Sequence, residues 1–167
     1  MNSPLQFDFL VDKKKNTLTF IREFRAGKQL IWDCYTQHEL LDQWFAPAPL
    51  STKTKSMEFC EGGHWHYAMI DPNGTEYWGW TDYETIQSPD FYTALDAFSN
   101  EAGDINANLP RAKWLVRFTE KGANALVETV ITYHSLQDLE TVLQMGMKDG
   151  LTATLSRLDD LLIHLTK

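Results

Sequence analysis

Residues 61–80 read EGGHWHYAMIDPNGTEYWGW. Seven of these twenty side chains are Trp, Tyr or His, and such rings pack in a core, stack on a ligand or hold a metal. The pattern is that of two strands joined by a turn. Trp65, Tyr67 and Met69 alternate with His64, His66 and Ala68, so each set lies on its own strand face. DPNG at 71–74 is a strong turn signal, and Tyr77 to Ile86 return as the partner strand. The more apolar set, Trp65, Tyr67 and Met69, is expected to face inward. On the return strand Trp78 and Trp80 share one face and Tyr77 and Gly79 the other, and either pair satisfies the alternation.

Outward from this hairpin the strand pattern continues. Residues 5–11 and 17–24 read as a β-hairpin around DKKKN, or as an extension of residues 1–16 before the first main strand. GKQLIWDCYTQ and HELLDQWF carry apolar residues at helical spacing, and Pro47 and Pro49 end the second of these two short helices. From about residue 53 to 134 short connections separate successive strands, as in an antiparallel meander. Ser135 stands as an N-cap with Asp138 in the capping-box position. A leucine and methionine stripe from Leu139 to Leu165 then predicts one helix over 136–165, about 45 Å long at 1.5 Å per residue.

Composition bounds the function. A chain of 167 residues, 43% hydrophobic and 23% charged, suits a single globular domain over 1–167. A net charge of −8 disfavours nucleic acid and anionic membrane as partners. No basic-then-apolar leader and no stretch of membrane-span length is present, and Cys34 and Cys60 read as small buried residues, so a cytoplasmic location is expected.

The words REFRAGKQLIWDCYTQHELLDQWFAP (22–47), CEGGHWHYAMIDPNG (60–74) and LETVLQMGMKDGLTATLSRLDDLL (139–162) occur in this order. Together they resemble the START-like (SRPBCC) superfamily, in the subgroup similar to the C-terminal domain of the activator of the ninety-kilodalton heat-shock chaperone's ATPase. Phe45 stands where that subgroup has a second tryptophan, Ala46 where it has glycine, His64 and His66 where it has basic residues, and Leu151 where it has tryptophan. The resemblance implies an α+β helix-grip fold like that of the birch-pollen allergen. A curved antiparallel sheet wraps a long C-terminal helix, with two short helices after the first main strand. It also implies an elongated cavity between sheet and helix, and contact of Leu143, Met147 and Leu151 with the sheet.

The expected cavity wall combines Trp65, Tyr67, Met69 and at least one of Trp78 and Trp80 with Gly146, Met147 and Gly150 on the helix. Trp44 and Phe45 are expected near its mouth. Each glycine costs about 1 kcal/mol inside a helix relative to Ala, so two on one face point to close sheet approach or to space for a ligand. Rings under a helix are most often plain core, and Trp44 and Phe45 serve equally as anchors of the second short helix. His64 and His66 share a face but lack a third ligand, so neither a metal nor another cofactor is expected; an exposed polar outer face accounts for them. Asp82, Glu84 and Glu128 are the strand carboxylates available to face inward. No nucleophile elbow or phosphate loop is present, and no catalytic residue is assigned. The leading expectation is binding of a small apolar or aromatic molecule. The alternatives are a protein partner (a chaperone or a second copy) and a cyclase, dehydratase or hydrolase activity in the same cavity.

Overall fold

The computed structural model describes residues 4–167; residues 1–3, part of the expected N-terminal extension, lie outside the described residues. The strands are β1 (Phe7–Asp12), β2 (Thr17–Phe24), β3 (Ser51–Met57), β4 (His64–Ile70), β5 (Glu76–Gln87), β6 (Phe91–Ser99), β7 (Ala112–Lys121) and β8 (Asn124–Tyr133). The helices are α1 (Lys28–Thr36), α2 (His38–Leu41), α3 (Leu136–Gln144) and α4 (Met147–Leu165). All eight strands form one antiparallel sheet in the order β1-β2-β8-β7-β6-β5-β4-β3. Strands β3 to β8 are a plain meander, and the β1–β2 hairpin adds on beside β8. The chain must therefore travel from β2 to the far edge at β3, and α1 and α2 carry it across. The fold is the α+β helix-grip architecture.

One sheet face is closed by helices. Leu18, Phe20 and Phe24 of β2, Val116 and Phe118 of β7, and Val127 and Ile131 of β8 are buried in alternation, as period-two strands require. They meet Ile31, Trp32 and Tyr35 of α1 and Leu139, Leu155, Leu158 and Leu162 of the C-terminal helices. Trp44 is 1% exposed and its indole N–H donates to the Cys34 carbonyl at 3.0 Å, which locks α2 onto α1.

The C-terminal segment differs from the single helix expected over 136–165. It breaks at Gly146, whose φ is +89°, and two helices result. The left-handed conformation costs an L-residue about 1–2 kcal/mol, and glycine removes that cost. QMGMKDG thus contains a helix stop, with glycine just past the last turn of α3. Ser135 caps α3 as its sequence indicates, accepting from the Asp138 N–H at 3.1 Å. The stripe is also redistributed. Leu143, Met147 and Leu151 are half-buried, while Leu139, Val142, Leu155 and Leu158 carry the full burial.

Side chains fix α4 across the concave face. Arg22 of β2 pairs with Asp159, and Arg157 donates to the carbonyls of Ala46 and Leu50 at 2.7 and 2.6 Å. One contact ties α4 to β2 and the other to the segment between α2 and β3. Cys34 is buried in α1, and burial pushes its thiol up to about 12. Cys60, expected to be buried, is exposed, because β3 ends at Met57 and the chain turns before β4.

Candidate functional site

Between the sheet and the helices lie two neighbouring spaces. The inner one is a chamber of about 70 Å³ lined by Tyr35, Leu41, Phe45, Trp65, Tyr67, Thr81, Tyr83, Tyr92, Ala94, Asp96, Trp114 and Val116. The outer one is a groove of about 310 Å³ lined by Phe45, Pro47, Met69, Phe98, Val142, Met145, Gly146, Met147, Gly150, Leu151 and Thr154. Phe45 is the residue the two share.

Strand alternation builds the chamber. Trp65 and Tyr67 of β4 stack at 3.9 Å between ring centroids. Across the ladder Tyr67 faces Gly79, and a Cβ at Gly79 would come within 2.6 Å of the Tyr67 ring. Glycine is therefore what allows that ring to lie flat over β5. The Trp65 indole donates to Thr54 Oγ1 at 3.0 Å, which fixes its orientation. Tyr83 of β5, Tyr92 and Asp96 of β6 and Trp114 of β7 complete the wall.

Asp96 is the carboxyl inside. Its Oδ2 accepts from the Trp114 indole N–H at 2.6 Å and its Oδ1 from the Ala112 N–H at 2.7 Å. Burial raises its pKa above the usual carboxylate value, while these two donors and Arg111 oppose the rise. Burial also raises the phenol pKa values of Tyr35, Tyr67, Tyr83 and Tyr92, which keeps all four neutral. Their hydroxyls make no hydrogen bond among the described residues; the polar contacts on this wall run through Trp65, Trp114 and Asp96.

The expected site residues thus divide. Phe45, Trp65 and Tyr67 meet at the chamber. Met69, Gly146, Met147 and Gly150 lie on the groove, with Gly146 between the helices rather than within one. Trp44 lines neither space, because its indole is consumed in the α1–α2 contact. Trp78 and Trp80 are a correction too. The pairing of Tyr67 with Gly79 sends both indoles to the outer sheet face. There His64 stacks on Trp80 at 4.6 Å, and His66 packs against both tryptophans.

That outer face is not the open polar surface expected from the sequence. His66 is 3% exposed and its Nε2 lies 2.9 Å from the Asn100 carbonyl, since the loop after β6 folds over it. His64 Nε2 is 2.7 Å from Ser56 Oγ. Among the described residues no group of three or more His, Cys, Asp or Glu is placed to hold a metal. Asp82 binds Arg111 and the Trp80 indole on the outer face, and Glu84 lies near Lys113, so neither faces the chamber. Glu128 is opposite in alternation to the buried Val127 and Thr129.

Tyr35, Tyr83, Tyr92, Asp96 and Trp114 were not singled out by sequence reasoning. The signal present was alternation: Tyr92, Ala94, Asp96 and Phe98 recur every second residue in FYTALDAF, and Trp114, Val116 and Phe118 do so in KWLVRFTE.

Comparison with known proteins places this architecture. The family model described as Activator of Hsp90 ATPase homolog 1-like protein matches residues 25–163, most of the chain. The chain belongs to this family. The crystal structure of protein Ms6760 from Mycobacterium smegmatis is similar, with a TM-score of 0.86 and 29% identity over 95% of this chain and 97% of that one. A solution structure from Staphylococcus epidermidis has a TM-score of 0.82 and 27% identity, covering 92% and 93% of the two chains. A solution structure from Arthrobacter aurescens shares the fold at a TM-score of 0.89 and 24% identity, covering 94% and 91%. No curated protein matches in sequence. The family's fold generally forms a ligand-binding or chaperone-interaction module. Among the described residues no helix is long and apolar enough to cross a membrane.

Proposed function

We propose that the protein binds a small, largely apolar or aromatic molecule between the sheet and the C-terminal helices. The observation that carries this is the ring-lined chamber leading, past Phe45, to an apolar groove. Protein interiors are packed about as densely as organic crystals, so a void of about 70 Å³ among buried rings, beside an open apolar groove, favours a ligand over plain core. Among the described residues Asp96 is the one carboxyl lining either space, and both its oxygens are already engaged, so binding fits the site better than acid–base catalysis.

A second reading, docking of a protein partner, draws on the groove's rim. Met145 is 57% exposed and Phe98 36%, an apolar border at the opening. The same border suits the mouth of a ligand groove.

Nile red, a neutral apolar dye, separates the two. It is expected to bind with a blue-shifted emission and to change tryptophan fluorescence, since Trp65 and Trp114 line the chamber. A Cβ at Gly150 meets no atom within 4 Å, so Gly150→Phe extends into free groove space. That variant is expected to weaken dye binding about tenfold, or about 1.4 kcal/mol, with the fold kept. Unchanged dye affinity in a folded Gly150→Phe protein would sink the ligand reading in favour of the docking one.

A further inference from the structure

The two spaces differ in chemistry, and the difference names a ligand class. The groove is lined by Pro47, Met69, Val142, Met145, Met147 and Leu151, and its one hydroxyl, that of Thr154, is already donated to the Gly150 carbonyl at 2.8 Å. The chamber is lined by four tyrosines, Tyr35, Tyr67, Tyr83 and Tyr92. Tyr35 and Tyr83 are more than nine-tenths buried, and their hydroxyls have no protein partner among the described residues; unlike the Ser99 and Tyr133 hydroxyls, neither oxygen is fully enclosed by protein. A hydroxyl open only to an enclosed space is paired by whatever fills that space, so several phenols around one chamber favour an occupant that answers them. The polar end is thus the deep end, and the apolar end is the mouth.

Charge narrows the class further. Among the described residues no Lys, Arg or His lines either space, and Asp96 lies on the chamber wall. An anionic head group brought there would meet a carboxyl and no lining cation, since Arg111 is engaged by Asp82 and the Asp96 carbonyl, and an unpaired buried charge is strongly disfavoured.

Phe45 supplies the shape. Its ring meets Trp65 edge-on at 4.9 Å and Tyr67 at 5.8 Å between centroids. Its backbone is pinned, with the N–H donating to the Leu41 carbonyl at 2.9 Å and the carbonyl accepting from Thr52 Oγ1 at 2.7 Å. A side-chain rotation alone therefore moves the ring. At about 70 Å³ the chamber is smaller than the ~150 Å³ cavity known to admit benzene, so an aromatic head enters only if that ring leaves.

Resting on the ligand reading above, we infer that the site takes a neutral aromatic amphiphile, hydroxyl-bearing ring first and apolar tail last, and that Phe45 is a resident plug whose place the ligand ring takes against Trp65 and Tyr67.

Three probes of one shape test this by Nile red displacement: 4-hexylphenol, hexylbenzene and 4-hexylbenzoate. The phenol is expected to bind at least about tenfold more tightly than the benzoate, because only the benzoate buries a charge. It is also expected to outbind hexylbenzene, an advantage that shrinks in Tyr67→Phe. Intermolecular nuclear Overhauser effects are expected from the phenol ring to Trp65 and Trp114, and from the terminal methyl to Met69 and Met147. Phe45→Ala, checked for folding by its melting transition, is expected to bind the phenol several-fold more tightly because the plug is gone. Phe45→Leu serves the same comparison with less loss of core contact. Benzoate binding as tight as phenol, a reversed Overhauser pattern, or weaker phenol binding in both folded Phe45 variants overturns the inference. If Nile red binds and Gly150→Phe weakens it while the three probes bind alike, the cavity reading stands and this one fails. If neither dye nor phenol binds, both fail.

Discussion

At the scale of single residues, Glu23 shows how a polar side chain near the sheet's end contributes. Its carboxylate accepts from Asn124 Nδ2 at 2.8 Å, from the Gln6 N–H at 3.1 Å and from Lys121 Nζ at 3.1 Å. These donors, Asn124 first, hold its pKa at about 2, against the usual 4.5. A folded-state pKa below the unfolded one means stability present above 4.5 and lost as pH falls through about 2. Urea melts of Glu23→Gln should therefore show a constant deficit above 4.5 that closes as pH falls toward 2. A deficit unchanged at pH 2 would assign the effect to shape rather than charge. Gly79 illustrates a different limit of sequence reasoning. Its lack of a side chain matters because of the Tyr67 ring across the ladder, a contact defined by register and absent from local sequence.

At the scale of elements, the two glycines of the C-terminal segment have opposite roles. Gly146 adopts a left-handed conformation between α3 and α4, while Gly150 is an interior helical residue with open space at its Cβ position. Gly146→Ala should destabilise by about 1 kcal/mol through the left-handed penalty. Gly150→Ala should stabilise by up to about 1 kcal/mol through helix propensity. Paired thermal or urea melts read the signs directly, and equal signs would show that the break at Gly146 is not held in solution. The apolar stripe alone suggests one helix because a 3.6-residue period survives a break that keeps both pieces on the same core face. The stop signal was present in QMGMKDG, but the periodicity outweighed it.

At the scale of the whole molecule, α4 spans the concave face on side-chain ties at both sides. Arg22 is the inner tie. Its guanidinium lies 5.4 Å from the Phe7 ring and 5.2 Å from the Phe24 ring, and it pairs with Asp159. The Arg22 side chain is 11% exposed and that of Asp159 32%, so the pair is only partly desolvated. Burial raises the Asp159 pKa even with Arg22 beside it. Arg22→Met should cost about 2–3 kcal/mol, below the 3–5 typical of a fully buried pair, by leaving Asp159 without its partner. The double variant Arg22→Met/Asp159→Leu should recover part of that loss. A double-mutant cycle in urea checks the coupling, and strictly additive losses would show that the pair does not hold α4.

Alternation and helical spacing establish the strands, the two short helices, the helical C-terminus and the antiparallel class, because each depends on which residues two, three or four apart share a face. They also place Trp65 and Tyr67 together, since neighbours on one strand need no register to share a side. Whether Trp78 faces the same way as Tyr67 depends on how β5 slides against β4. One residue of slip reverses every side chain, and hairpin geometry sets that slip. The chamber's remaining wall comes from β6 and β7, whose Asp96 and Trp114 meet across a ladder joined by a long loop. The division of the space at Phe45 depends on how the segment after α2 and α4 sit over the sheet. Local patterns carry facing and periodicity. Register, docking and the unfilled volume between layers are properties of the assembled chain.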